Sequence, residues 1–216
     1  DDGSKARQVT LVNHLMNGNY FEWYKNGQLK TQGIYNDKIP TILKQWDENG
    51  TLIKQMKFNN ETLRAAVKEW LEDETKAEAK YGHISNWDVS SVTDMSFMFS
   101  RQAVVFNQPL GNWDVSNVTD MSNMFKGAVS FNQPIGNWDV SKVTDMNQMF
   151  CRARAFNQPI GNWDVSKVTD IRGMFEGAKA FDQPIDNWDV SKVTNMDEMF
   201  KGAVAFNQPI GNWDVS

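Results

Sequence analysis

The chain has a single cysteine, Cys151, so no disulfide can form within it. That usage fits the cytosol, and equally a secreted repeat protein whose stacked units need no covalent staple. No apolar run approaches the roughly 20 residues that cross a bilayer as a helix. Histidine is scarce: His14 and His83 stand alone, without ligand-spaced neighbours. Zinc spacings, glycine-rich phosphate loops and nucleophile elbows are missing. A net charge of −5 lacks the basic footprint of nucleic-acid or anionic-membrane binding and is too weak to demand a basic partner. The aromatic residues are not interleaved with basic ones, which argues against a stacking platform for single-stranded nucleic acid. No cofactor, no metal ligand set and no catalytic residue is expected.

What the chain does contain is a period. Trp113, Trp138, Trp163, Trp188 and Trp213 recur every 25 residues, each within Asn-Trp-Asp-Val-Ser. Self-similarity at such a spacing marks units that cannot bury an apolar face alone and stack on their neighbours. It also argues against an enzyme, since unlike groups must converge at a catalytic site and here the same groups recur. An earlier unit carries one extra residue in its Ser100–Val105 connection, because Trp87 and Trp113 are 26 apart.

Within one unit, Pro134 to Val140 nearly alternates apolar and polar residues, which predicts a short strand. Met146, Met149 and Phe150 are spaced for one face of a helical turn, with Thr144 as its cap and Asp145 favoured by the helix dipole. Asp197 stands where a capping box would place an acid. The methionines read as core filler. Upstream, Asn60 to Leu71 is amphipathic, with Asn60 as candidate N-cap, and is expected to cover the first coil. Further upstream, Trp23-Tyr-Lys-Asn26-Gly27 and Trp46-Asp-Glu-Asn49-Gly50 repeat at an offset of 23 residues. Asn-Gly predicts type I′ hairpins. Trp23, Tyr35, Trp46 and Phe58 are candidates for one packed face of a small antiparallel sheet over residues 9–58.

The expected fold is therefore an α/β, leucine-rich-repeat-like solenoid, with a short parallel strand and one or two helical turns per coil, preceded by a capping helix and a small antiparallel hairpin sheet. The expected divisions are 1–59 for the hairpins, 60–80 for the helix and 81–216 for the array. The start at Asp1 rather than Met is read as a mature or trimmed form, with any export signal or lipid-attachment cysteine upstream. The stop at Ser216 in mid-unit implies that more chain follows or that another molecule covers that end.

Two sets of residues are candidates for binding. Asp114, Asp139, Asp164 and Asp189, followed by Asp214, should form a column of like charges, and Asp120, Asp145 and Asp170 another. Turn hydrogen bonds or a cation must offset the repulsion. Calcium suits oxygen-rich turns, but the Gly-Gly-x-Gly-x-Asp pattern is absent, so turn capping is favoured. The second set comes from comparing units within the chain: Ser122-Asn123, Asn147-Gln148, Arg172-Gly173 and Asp197-Glu198 differ where the rest repeats. Asn123, Gln148, Arg172 and Glu198 are the positions expected to individualise a binding surface, against simple drift on a solvated face. Asn112, Asn137, Asn162, Asn187 and Asn212 are expected as a buried ladder at coil corners.

The string Trp-Asp-Val-Ser-Lys-Val-Thr-Asp-Met-x-x-Met-Phe-x-x-Ala-x-x-Phe-Asn-Gln-Pro-Ile-Gly-Asn resembles the BspA-like repeat, also abundant in mycoplasma lipoproteins, over Tyr81 to Ser216. The lead-in Ala66-Val67, Trp70-Leu71 and Tyr81-Gly82-His83-Ile84 resembles the opening of such arrays. The Asn-Gly hairpins resemble MORN-like, antitoxin-type repeats. The first resemblance implies a cell-surface or secreted localisation and adhesion, with a host extracellular-matrix or plasma protein such as fibronectin or fibrinogen as partner. A structural spacer and an antitoxin-like binding protein are the alternatives. Met, Phe and Trp stand where leucine-rich repeats carry leucine.

Overall fold

The computed structural model describes residues 4–12, 15–36, 39–100 and 103–214. Its contacts divide the chain into two compact units, Asp1–Lys57 with Asp73–His83, and Phe58–Glu72 with Ile84–Ser216.

The first unit is a five-stranded antiparallel meander, β1 (Ser4–Val12), β2 (Leu15–Tyr24), β3 (Leu29–Asn36), β4 (Ile39–Trp46) and β5 (Leu52–Gln55), in sequential order. Its two Asn-Gly loops are not type I′. Gly27 N–H donates to the Tyr24 carbonyl at 3.0 Å and Tyr24 N–H to that of Gln28 at 2.9 Å; Gly50, Asp47 and Thr51 repeat the arrangement. Among the loop residues only Gly27 and Gly50 have positive φ, +87° and +84°. Each is a three-residue loop, a type I turn closed by a left-handed glycine. Asp47 Oδ1 accepts from Asn49 and Thr51 N–H and so favours the type I form. The second helix of the chain, Glu74–Tyr81, packs on β2, is N-capped by Asp73 and belongs to this unit.

The expected single aromatic face is not formed. Tyr35 meets Tyr20 edge-on at 5.4 Å, whereas Trp23 pairs with Phe21 at 5.8 Å. Tyr20 and Phe21 are adjacent on β2 and point to opposite faces. Phe58 lies in the other unit, stacked on Trp87 at 4.9 Å. His14 lies outside the described residues.

In the second unit, α1 (Asn60–Glu72) buries Leu63, Ala66, Val67 and Trp70. Its N-cap is Asn59, not Asn60: Asn59 Oδ1 accepts from Thr62 N–H at 2.8 Å and Thr62 Oγ1 accepts from Asn59 N–H at 2.9 Å. Asn60 is thereby free to serve the first coil. Its Oδ1 accepts from the N–H of Thr93 at 2.9 Å and of Asp94 at 3.3 Å. One helical turn on, Arg64 donates to the Ser96 carbonyl and pairs with Asp94 at 2.7 Å. Asn60 and Arg64 thus satisfy backbone groups that inner coils satisfy with one another.

Beyond Asn86 the expected α/β leucine-rich-repeat-like solenoid is overturned. Among the described residues there is no strand and no helix after the single 3₁₀ turn Ile84–Asn86. Successive coils are joined by isolated parallel bridges, Asp94↔Asp120↔Asp145↔Asp170↔Asn195. Each coil is a succession of turns. In one, i→i+3 hydrogen bonds of 2.9–3.2 Å close Ile135–Trp138, Val140–Val143, Met146–Met149, Gln148–Cys151, Phe150–Ala153 and Ala153–Phe156. Two of them flank or interrupt the expected strand, which Pro134 and Gly136-Asn137 already predispose to turn. The expected helical turn fails because alternate N–H groups leave the coil. Met146, Gln148, Phe150 and Arg152 donate to the carbonyls of Asp170, Arg172, Met174 and Glu176 in the next coil, at 3.0, 2.8, 2.9 and 2.6 Å. Gln148 has a left-handed φ of +52°, and Phe97, Asn123, Gly173 and Glu198 at the same place have +57°, +56°, +57° and +58°. Thr144 caps nothing; its N–H and hydroxyl both donate to the Thr119 carbonyl.

Stacked coils bury the repeated apolar residues in columns. Phe125, Phe150 and Phe175 lie nearly coplanar in orientation at 5.7 and 5.8 Å, and each packs on the Phe six residues later at 3.9–4.1 Å. Each buried indole N–H finds an acceptor in the preceding coil: Trp138, Trp163 and Trp188 donate to Leu110, Ile135 and Ile160 at 3.1–3.2 Å. Tryptophan in this column therefore buries a large ring without stranding its polar atom. The coils approach so closely that a Cβ at Gly111, Gly136 or Gly161 would lie 2.9, 2.3 or 2.5 Å from the carbonyl oxygen of Pro134, Pro159 or Pro184.

Candidate binding surface

The aspartate column caps turns. Asp114, Asp139, Asp164 and Asp189 are exposed, and each Oδ1 accepts from the N–H of the serine two residues on, at 3.0–3.1 Å. Hydrogen bonds from Ser141, Ser166 and Ser191 hold the Asp139, Asp164 and Asp189 carboxyls below the usual range, and Lys142, Lys167 and Lys192 lower them further. Repulsion between neighbours in the column is a smaller, opposing effect at Asp164 and Asp189. Among the described residues no three His, Cys, Asp or Glu side chains converge as metal ligands do. Asp94, Asp120, Asp145 and Asp170 make the same kind of turn, each accepting the N–H two residues on at 2.8 Å.

A pH dependence follows. Folded-state values depressed below the unfolded ones stabilise the array above about pH 4. That contribution is lost as pH falls through the lower, folded values. Asparagine keeps the acceptor oxygen without titrating. The triple variant Asp139→Asn/Asp164→Asn/Asp189→Asn is expected to lose less thermal stability between pH 5 and pH 2 than the parent chain, measured by circular dichroism melts; parallel pH curves would refute it.

The expected buried asparagine ladder lies elsewhere. Asn112, Asn137, Asn162, Asn187 and Asn212 are exposed. The ladder is built by the Asn-Gln pair before the proline. Asn107 Oδ1 accepts from Asn132 N–H at 2.9 Å, Asn132 Oδ1 from Asn157 N–H at 2.9 Å, and Asn157 Oδ1 from Asp182 N–H at 3.0 Å. Gln133 and Gln158 add bonds to the carbonyls of Asn107 and Asn132 at 2.9 and 3.0 Å. The signal was available: Asn-Gln-Pro recurs unchanged at 107–109, 132–134, 157–159 and 207–209.

The variable positions gather in part. Gln148, Arg172 and Glu198 line one depression of about 480 Å³ together with Gly173 and Asp197. Asn123 is not part of it; it is 6% exposed, with Nδ2 directed at Asn147 Oδ1 at 3.3 Å. Ser122, also expected to face outward, is buried. Around the depression, Glu198 is paired with Lys201 at 2.6 Å and Gln148 receives Lys126. The hydrogen bond to Glu198, followed by the charge of that carboxylate, raises the pKa of the Lys201 ammonium. Cys151, one coil earlier, is buried with its thiol towards Glu176 at 3.6 Å, and burial followed by that carboxylate raises its pKa, which disfavours thiolate chemistry. The arrangement offers charge and hydrogen-bonding groups to a partner and assembles no nucleophile with a base.

No described helix is long and apolar enough to cross a membrane. Comparison with curated proteins and with solved structures gives no match. A family model described as a Mycoplasma protein of unknown function matches residues 65–171 and 157–216, which include the 81–216 array that resembles the BspA-like repeat. With more than half of its length matched, the chain belongs to this Mycoplasma family of unknown function, DUF285.

Proposed function

We propose that the chain is a non-catalytic, adhesin-like module of a cell-surface or secreted protein, binding a protein partner through the outward residues of its turn-built coils. The supporting observation is a contrast within one scaffold. Buried columns and turn caps repeat almost unchanged, while Gln148, Arg172, Asp197 and Glu198 differ from coil to coil and surround one depression. A framework cross-linked coil to coil by backbone hydrogen bonds presents these groups already ordered, so little conformational entropy is lost on binding.

The test is capture of extracellular-matrix and plasma proteins by the purified chain, compared with the double variant Arg172→Glu/Glu198→Lys. Retained fold with about fivefold weaker capture is expected, since an exposed charge contact contributes up to about 1 kcal/mol. Capture unaffected by the reversal would refute this surface. No capture of any protein would favour the architectural alternative, a spacer that holds something else.

A further inference from the structure

The depression has an internal asymmetry that specifies what fits it. Arg172 and Asp197 occupy equivalent positions in successive coils, 25 residues apart. Both are exposed, and among the described residues neither is in an ion pair, although Glu198 and Gln148 beside them are engaged by Lys201 and Lys126. A positive and a negative group therefore stand one coil step apart without neutralising each other. Next to Arg172 in its own coil is Gly173, at φ +57° and buried. The same position carries a side chain in the neighbouring coils, Gln148 and Glu198. A Cβ at Gly173 would meet Gln148 Cγ at 3.2 Å and Glu176 Oε2 at 3.6 Å, so those side chains already cover the backbone there and recognition falls to the exposed charges of Arg172 and Asp197.

Spacing decides the shape of the occupant. Equivalent rings in these coils are 5.8 Å apart, Phe150 to Phe175 and Phe175 to Phe200. In an extended peptide, side chains on one side recur every two residues, about 6.7 Å. The two repeats agree to within about 1 Å, so alternate side chains of an extended peptide fall on successive coils.

We propose that this step of the row receives an extended peptide lying along the stacking direction, with an acidic side chain on Arg172 and a basic one, two residues away, on Asp197. The inference rests on reading the row as a recognition surface and names the chemistry recognised there.

The test uses immobilised synthetic peptides in a Gly-Ser background with the central triplets Glu-Ser-Lys, Glu-Ser-Glu and Lys-Ser-Lys, probed with the full chain at low ionic strength. The parent chain is expected to prefer Glu-Ser-Lys about fivefold over either like-charge peptide. Arg172→Asp, which leaves two acids, should shift the preference to Lys-Ser-Lys. Asp197→Arg, which leaves two bases, should shift it to Glu-Ser-Glu. The double swap should restore Glu-Ser-Lys, because the peptide can bind in the reverse direction. Absence of binding, or preferences that ignore the substitutions, overturns the proposal. If those peptides show no preference while Arg172→Glu/Glu198→Lys still weakens protein capture, this inference fails alone; if capture too is unaffected, the functional reading fails with it.

Discussion

Gly136→Ala is expected to destabilise the array by about 3 kcal/mol. The added Cβ would sit 2.3 Å from the Pro159 carbonyl oxygen, and the atom in the way is backbone rather than the end of a flexible side chain. Relief requires the coil containing Pro159 to move away. That motion lengthens the inter-coil hydrogen bonds and opens the ring columns, both repeated in every coil beyond it. Gly211→Ala is the control, since nothing lies within 4 Å of a Cβ there, and its effect should stay within about 0.5 kcal/mol. Asp186 occupies the corresponding place in its own unit, so a Cβ is accommodated where one described coil must adjust; at Gly136 several must. Denaturant unfolding of both variants checks this, and equal midpoints would show that the coils are not held at the separation the structure gives.

The same crowding explains which parts of the fold are legible from the sequence. Periodicity identifies the columns: Phe, Ile, Trp, Val and Met positions recurring every 25 residues are the ones that are buried. It does not identify the backbone between them. Spacings of three and four, as at Met146, Met149 and Phe150, satisfy a helix and also a chain of overlapping i→i+3 turns. What separates the two is the destination of the alternate N–H groups, a long-range property settled by the next coil. Local chemistry did carry a hint. Most units contain Asn-Gln-Pro, Gly-Asn and Asp-Val-Ser, all turn formers, in too short a space for a strand to persist.

The candidate site divides along the same line. Variation among units pointed to Gln148, Arg172 and Glu198, and these do gather. It also pointed to Asn123, which is buried although Gln148 and Glu198 at the same place are more exposed. Comparison of units registers which residues differ, and burial depends on what packs over each coil. Polar residues that hardly vary, Asn132 and Gln133 among them, are ladder residues because a nearly constant polar pair next to buried Phe131 serves the backbone. The left-handed φ at Gln148 and Glu198 had no sequence signal, as neither is a residue that favours it.

The largest single loss is expected from Phe150→Ala. Phe150 is fully buried, lies between Phe125 and Phe175 at 5.7 and 5.8 Å, and faces Phe156 at 4.0 Å. Its removal opens a cavity midway along the column, where neighbours are fixed on both sides by coil-to-coil hydrogen bonds and cannot collapse into it. A cost of about 4 kcal/mol follows from large-to-small substitutions in closed cores. The position adds a second consequence. In a linear array each coil is stabilised only by its neighbours, so cooperativity passes through every interface in turn. Weakening the interfaces on either side of Phe150 should uncouple the coils before it from those after it. A single unfolding transition should then split into two, resolved by the fluorescence of Trp113 and Trp188 in variants that retain one or the other. Phe206→Ala, whose ring is only half-buried, should cost less and leave the transition single. A single, unshifted transition for Phe150→Ala would mean that stability does not pass through the phenylalanine column, and the stacked-coil account of this chain would have to be abandoned.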